Sequence, residues 1–186
     1  MIININSWPG VGKFTVAEEL VKQIGGCLLD NHSIFNVAFS LCEFRTPAFY
    51  ETVRAVRAIA FERAAALPLE VPLTLTSAYA NTPFGLENWT AIRAMANKRG
   101  SPLCVVVFDC SIAENARRLQ SPGRASRRKL VDPVPLTQAR EANDLLEAGG
   151  DHLLRFDVSD LSAQESANCI VGWLRDKKLV GPSSQD

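Results

Sequence analysis

Short β-branched runs alternate with longer stretches of helical periodicity along most of this chain. Met1–Asn6 is short and β-rich and runs into a Gly/Pro segment. Val16, Leu20 and Ile24 then recur at helical spacing, with Ala17 and Val21 beside them, until Gly25-Gly26 stops the pattern. Cys27–Leu29 reads as a second strand, closed by the polar cluster Asp30-Asn31-His32-Ser33. Two helical stretches follow, Ile34–Cys42 and Pro47–Leu67, the latter with Phe49, Val53, Val56 and Ala60 on one face. Val71–Thr76 predicts a third strand, and Thr82-Pro83 opens a helix reaching about Arg99. Leu103–Phe108, LCVVVF, is a continuous apolar run of the kind a central parallel strand needs when both its faces are buried. A helix begins near Ser111, a loop rich in Arg, Gly and Pro covers Gln120–Leu136, and another helix runs to about Ala148. A last strand, His152–Phe156, precedes an amphipathic helix from Ser162 with Ala167, Ile170, Val171 and Leu174 on its apolar face. Five strands alternating with helices predict an α/β fold with a parallel sheet. Ligands of such sheets bind at the carboxyl ends of the strands, so the residues after each strand carry the functional question.

Composition narrows the class. The chain has 186 residues, 47% apolar and 22% charged, which suits an ordinary globular domain. Its formal net charge is zero, so no whole-molecule field recruits nucleic acid or an acidic membrane. The five cysteines are odd in number and lack C-x-x-C or Cys/His spacing, which argues against a disulfide framework or structural zinc and for a reduced, cytoplasmic setting. No charged leader and no apolar run of membrane-spanning length is visible. The expected organisation is one domain over residues 1–178 and a flexible tail over 179–186.

The first strand ends in SWPGVGKFT, residues 7–15. The phosphate-loop pattern G-x-x-x-x-G-K-[ST] places Ser7 at the first glycine and Phe14 at the hydroxyl. Gly12 and Lys13 remain, and these matter most: the glycine turns backbone N–H groups inward, and the lysine reaches the β- and γ-phosphates. Pro9, Gly10 and Val11 shape the turn. The competing reading is an ordinary tight strand-to-helix turn, and the strand before it and helix after it favour a phosphate site. Phe14 cannot ligate Mg²⁺ as a hydroxyl would. Thr15 and Asp30 are the nearest substitutes, with phosphates and water completing the ion's shell. The third strand ends in Thr74-Leu75-Thr76-Ser77, without the usual acid.

With this loop, LLDNHSI after the second strand and RRLQSPGRASRRKLVDP further on, the chain resembles the small P-loop kinases of the shikimate kinase, chloramphenicol phosphotransferase and adenylate kinase type. It is more closely similar to uncharacterised AAA-type small ATPase/kinases, whose loop reads G-P-P-x-V-G-K-[MF]-T and admits Phe at position 14. The resemblance spans Ile2 to Leu174. It implies a three-layer fold with a five-stranded parallel sheet in the order 2-3-1-4-5, a mobile arginine lid over residues 117–136, an acceptor-binding helical region over 33–67, and the use of ATP and Mg²⁺. It also implies that Asp30 faces the phosphoryl acceptor, where it would orient or deprotonate a hydroxyl. His32, Arg45 and Arg54 are further acceptor candidates, and Arg57 lies in the same region. Each has a plain alternative, as a helix cap or a solvated side chain.

Residues 117–129 hold six basic residues and no acid. Without interleaved aromatics they make a poor single-strand stacking platform, so nucleic acid is an unlikely partner. A lid closing on ATP is preferred: Arg117 or Arg118 stacking on adenine, Arg124 stabilising charge on the transferring phosphoryl group, and Arg128 or Lys129 assisting. The expected activity is ATP-dependent phosphoryl transfer to the hydroxyl of a small molecule. The alternative is a regulatory nucleotide-binding module with weak or no transfer, a reading that Phe14 and the missing third-strand acid support.

Overall fold

The computed structural model describes residues 1–120 and 132–181. Five strands, β1 (Ile2–Asn6), β2 (Cys27–Leu29), β3 (Leu73–Ser77), β4 (Leu103–Asp109) and β5 (His152–Asp157), form one sheet in the order β2-β3-β1-β4-β5. Every pairing is parallel. In register, Ile2 faces Leu73 on one side and Leu103 on the other, which makes the IININ segment the central strand. The sheet and its order are those expected.

Among the described residues the helices are α1 (Lys13–Ile24), α2 (Asn31–Leu41), α3 (Pro47–Ala65), α4 (Pro83–Arg99), α5 (Ile112–Leu119), α6 (Pro133–Ala142) and α7 (Ala163–Asp176). They cover both faces of the sheet. Side chains alternate along a strand, so Ile3 and Ile5 pack with Val16, Leu20, Ala167, Ile170 and Leu174 on the face covered by α1 and α7. Ile2, Leu73, Leu75, Val105 and Val107 pack on the other, against Trp89, Ile92 and Met95 of α4. A third cluster, Ile34, Ala38, Phe49 and Val53, joins α2 to α3 beside the sheet. No helix among the described residues is long and apolar enough to cross a membrane.

Some boundaries moved. α2 begins at Asn31 rather than Ile34, because the Asp30 carboxylate accepts from the His32 N–H and caps the helix. β3 is shifted to Leu73–Ser77, because Val71 closes a turn on the Pro68 carbonyl. The Gln120–Leu136 loop is helical from Pro133 onward. Asp132 caps that helix by accepting from the Val134 N–H, and a proline at the first helical position forfeits no intrahelical bond. The same helix stops at Ala142, short of Ala148. At the other end of the chain, Leu179 and Val180 pack on the α1/α7 side of the core.

Candidate active site

The loop between β1 and α1 gathers the features of an anion cradle. Gly10 and Gly12 have φ of 91° and 106°, values that side chains other than glycine's rarely adopt. Gly12 is also the N-cap of α1 and offers no side-chain acceptor to the first turn. Every other helix among the described residues is capped by Asp30, Thr46, Thr82, Ser111, Asp132 or Ser162. The first turn of α1 thus receives no hydrogen bond from its N-cap side chain and stands at the positive end of the helix dipole. Lys13 Nζ donates to the Ser7 and Trp8 carbonyls, both at 3.3 Å, so the ammonium lies back across the loop. Pro9 and Val11 contribute carbonyls rather than side chains. Phe14 is half-buried and Thr15 is exposed.

Those carbonyls are held by side chains of α5. Asn115 Nδ2 donates to the Pro9 carbonyl at 2.9 Å, and Arg140 donates to Asn115 Oδ1 at 3.0 Å and to the Cys110 carbonyl at 2.8 Å. Arg118 donates to the Val11 carbonyl at 2.7 Å and to the Val158 and Ser159 carbonyls at 2.8 and 2.9 Å. It thereby joins the β1–α1 loop to the segment after β5. Glu114 receives both Arg117 and Arg118, Arg117 foremost, which holds its carboxyl down to about 2. Arg117 itself is mostly exposed. Arg124, Arg128 and Lys129 lie outside the described residues.

Two strands from the loop stands Asp30, buried at 8% exposure. One carboxylate oxygen accepts from the Thr76 hydroxyl and the other from the His32 N–H. The Asn31 N–H in turn donates to Thr76 Oγ1 at 3.1 Å, and Tyr79 Oη donates to Asn31 Oδ1 at 2.8 Å. A carboxylate has about four acceptor positions, so two of Asp30's remain for a ligand. Thr76 sits at the carboxyl end of β3, where an acid is usual, and its hydroxyl binds the acid carried by β2. Next to it, Ser77 Oγ shares its single proton between Asn4 Oδ1 and Asn6 Oδ1, and Ser7 N donates to the Ser77 carbonyl, which ties the start of the loop to β3.

The arginines expected at the acceptor side are engaged elsewhere. Arg54 makes a fork on Glu87 at 2.9–3.1 Å, and Arg57 reaches Glu87 at 2.8 Å and Asn88 at 2.5 Å. Together they brace α3 against α4 and hold the Glu87 carboxyl down to about 2, Arg54 contributing most. Arg45 sits 5.2 Å from the ring centroid of the exposed Phe44. His32 lies in the first turn of α2, stacked on Phe39 with ring centroids 6.4 Å apart.

Sequence reasoning missed Thr76, Asn115 and Arg140. The signal for the first was a hydroxyl where the third strand lacked its acid; the other two had none. No protein-family model matches the chain, and no curated protein matches it in sequence. Solved structures match it over nearly its full length. A Chloroflexus aurantiacus protein with a provisional kinase assignment gives a TM-score of 0.69 at 17% identity, covering 97% of each chain. The Mycobacterium tuberculosis APS kinase, solved with AMPPNP and APS, gives 0.58 at 17% identity over 94% of this chain and 96% of that one. The chain has the fold of a small P-loop kinase. Shikimate kinase from Acinetobacter baumannii shares that P-loop kinase fold, with a TM-score of 0.54 at 17% identity over 96% and 95% of the two chains.

Proposed function

We propose that this chain is an ATP-dependent phosphotransferase acting on a hydroxyl of a small molecule. The observation that carries the reading is the glycine loop that leads into α1, with Gly10 and Gly12 at positive φ and Lys13 laid back across it, at the same sheet edge as the buried Asp30–Thr76 pair. Loop amides and Lys13 bind the ATP phosphates. Asp30 orients the acceptor hydroxyl and takes its proton. The acceptor oxygen attacks the γ-phosphorus, the bond to the β–γ bridging oxygen breaks, and ADP leaves with that electron pair. Asp30 then returns the proton to water. His32 contacts the acceptor, while Arg117, Arg124 and Arg128 act on the nucleotide from the basic segment.

No cluster of three or more potential metal ligands occurs among the described residues. The donor set fits an Mg²⁺ that keeps most of its shell on phosphate and water, with Asp30 and Thr15 as the protein groups that would hold it. Bound there, the ion would neutralise phosphate charge.

The test is calorimetric titration with ATP. Wild type is expected to bind and Lys13→Ala to lose binding by at least about 100-fold; undiminished affinity in the variant sinks the loop assignment. Phe14 and the absence of an acid on β3 favour a second reading, a nucleotide-binding regulator. That reading fails if Mg²⁺-dependent phosphoryl transfer is measured and falls with Asp30→Asn.

A further inference from the structure

One face of α5 meets the β1–α1 loop at successive residues. Asn115, Arg118 and Leu119 fall at i, i+3 and i+4, which puts them on the same side of the helix. Asn115 Nδ2 donates to the Pro9 carbonyl at 2.9 Å, Leu119 packs where a Cβ on Gly10 would stand, and Arg118 donates to the Val11 carbonyl at 2.7 Å. Neither donor is free to turn. Asn115 is 1% exposed and its Oδ1 accepts from Arg140 of α6, so a flipped amide would set donor against donor and acceptor against acceptor. Arg118 is held from behind by Glu114, 2.6 Å from its Nε. The consequence lies in the peptide unit. A trans peptide is planar, and its C=O and the following N–H point in opposite directions. Drawing the Pro9 carbonyl toward α5 therefore turns the Gly10 N–H away from that helix. Drawing the Val11 carbonyl toward α5 does the same for the Gly12 N–H. The positive φ of both glycines admits these orientations. Neither of the two N–H groups donates to any group among the described residues.

We propose that Asn115 and Arg118 are positioning residues of the phosphate site. They touch no phosphate themselves; by fixing the Pro9 and Val11 carbonyls they aim the Gly10 and Gly12 N–H groups at it. This rests on the reading of the β1–α1 loop as a phosphate site, and it adds the side chains that set the direction of the loop's donors. The probe is sodium tripolyphosphate, which carries phosphates without a base, titrated into the isotope-labelled full chain and followed by amide NMR. The amide proton shifts report which N–H groups donate to the anion, and the titration gives its affinity. In wild type the Gly10 and Gly12 amide protons are expected to move downfield together. Asn115→Leu, close in shape but without the donor, should abolish the Gly10 displacement and keep that of Gly12. Arg118→Leu should do the reverse. Each should weaken tripolyphosphate about ten- to a hundredfold, the range of one hydrogen bond to a charged group. Asn115→Asp, which keeps an acceptor for Arg140 and loses the donor to Pro9, serves as the second variant should Asn115→Leu unfold, and it too should remove the Gly10 displacement. A merely structural role would lower the unfolding midpoint and leave both displacements in place in the folded protein. Displacements that survive in the folded variants, that vanish together in each of them, or that are missing from a wild type that binds tripolyphosphate overturn the proposal and leave the phosphate site standing. A wild type that binds no tripolyphosphate removes both.

Discussion

Replacing Thr76 by Val removes one oxygen and leaves the shape of a β-branched side chain in a strand position that is 4% exposed. Two interactions go with it. The hydroxyl no longer donates to the Asp30 carboxylate, a charge-assisted bond worth about 1.5–3 kcal/mol. The Asn31 N–H also loses its acceptor, and because Asn31 is only half-buried, water replaces part of that bond; about 1 kcal/mol is a fair share. Thr76→Val is therefore expected to cost about 2.5–4 kcal/mol. Asp30→Ala loses the α2 cap, about 0.5–2 kcal/mol, and strands the Thr76 hydroxyl, about 1–3 kcal/mol. The double variant should cost less than the sum of the single ones by about 1.5–3 kcal/mol, since the shared bond can be lost only once. Urea unfolding followed by circular dichroism at pH 7 without nucleotide reads all four proteins, and a constant m-value confirms that only stability changed. Thr76→Ser, which keeps the hydroxyl, should recover most of the loss. Additivity of the two single variants within about 0.5 kcal/mol would refute the claim that the acid of β2 is held by the hydroxyl of β3.

Two further outcomes follow from the same geometry. Glu87 is ionised more readily in the folded chain than its ordinary 4.5 because of Arg54 and Arg57, so its contribution is complete above that value and fades as pH falls toward about 2. Glu87→Gln should accordingly destabilise at pH 7 by about 1 kcal/mol, allowing for solvent screening, and the gap to wild type should close in acid unfolding curves near pH 2. Gly10→Ala and Gly12→Ala each force a side chain into positive φ, at about 1–3 kcal/mol. Only at Gly10 would the new Cβ also fall 2.8 Å from Leu119 and Asn115, adding about 1–3 kcal/mol of overpacking. Equal unfolding midpoints for the two variants would contradict that difference.

The sheet was legible because central strands buried on both faces must be apolar throughout, and Leu103–Asp109 is buried at every position but the last. The loop was legible because its glycines obey a backbone requirement that leaves a residue-type signature. The Asn115–Arg140 brace leaves none: its partners are carbonyls, which every residue has, and Asn115 reaches one 106 positions away. The Arg54–Glu87 pair was hidden for a related reason: Glu87 lies on the next helix and is brought near only by packing. Pro133 hid the start of α6 because proline at a first helical turn and proline in a loop look alike until a cap such as Asp132 is recognised. The aromatic weight of the α2–α3 region was countable, with four of the nine phenylalanines between positions 35 and 49, yet Phe49 was read there only as a position on an apolar helix face.

The asparagines of β1 bear on how the chain survives its own folding. β1 gains its neighbours only when Leu73–Ser77 and then Leu103–Asp109 reach it, so its pairing is non-local and slow to form. Until then Ile2, Ile3 and Ile5 form a β-prone apolar segment open to pairing with other molecules. Asn4 and Asn6 interrupt that segment with polar side chains, and the buried Asn6 amide is fully partnered in the native sheet, where Ser77 Oγ and the Tyr79 N–H donate to its Oδ1 and its Nδ2 donates to the Tyr79 and Leu146 carbonyls. In any mispaired assembly the Asn6 amide would be buried without those partners. The central strand thus carries its own guard against aggregation, one that is released only by the correct neighbours.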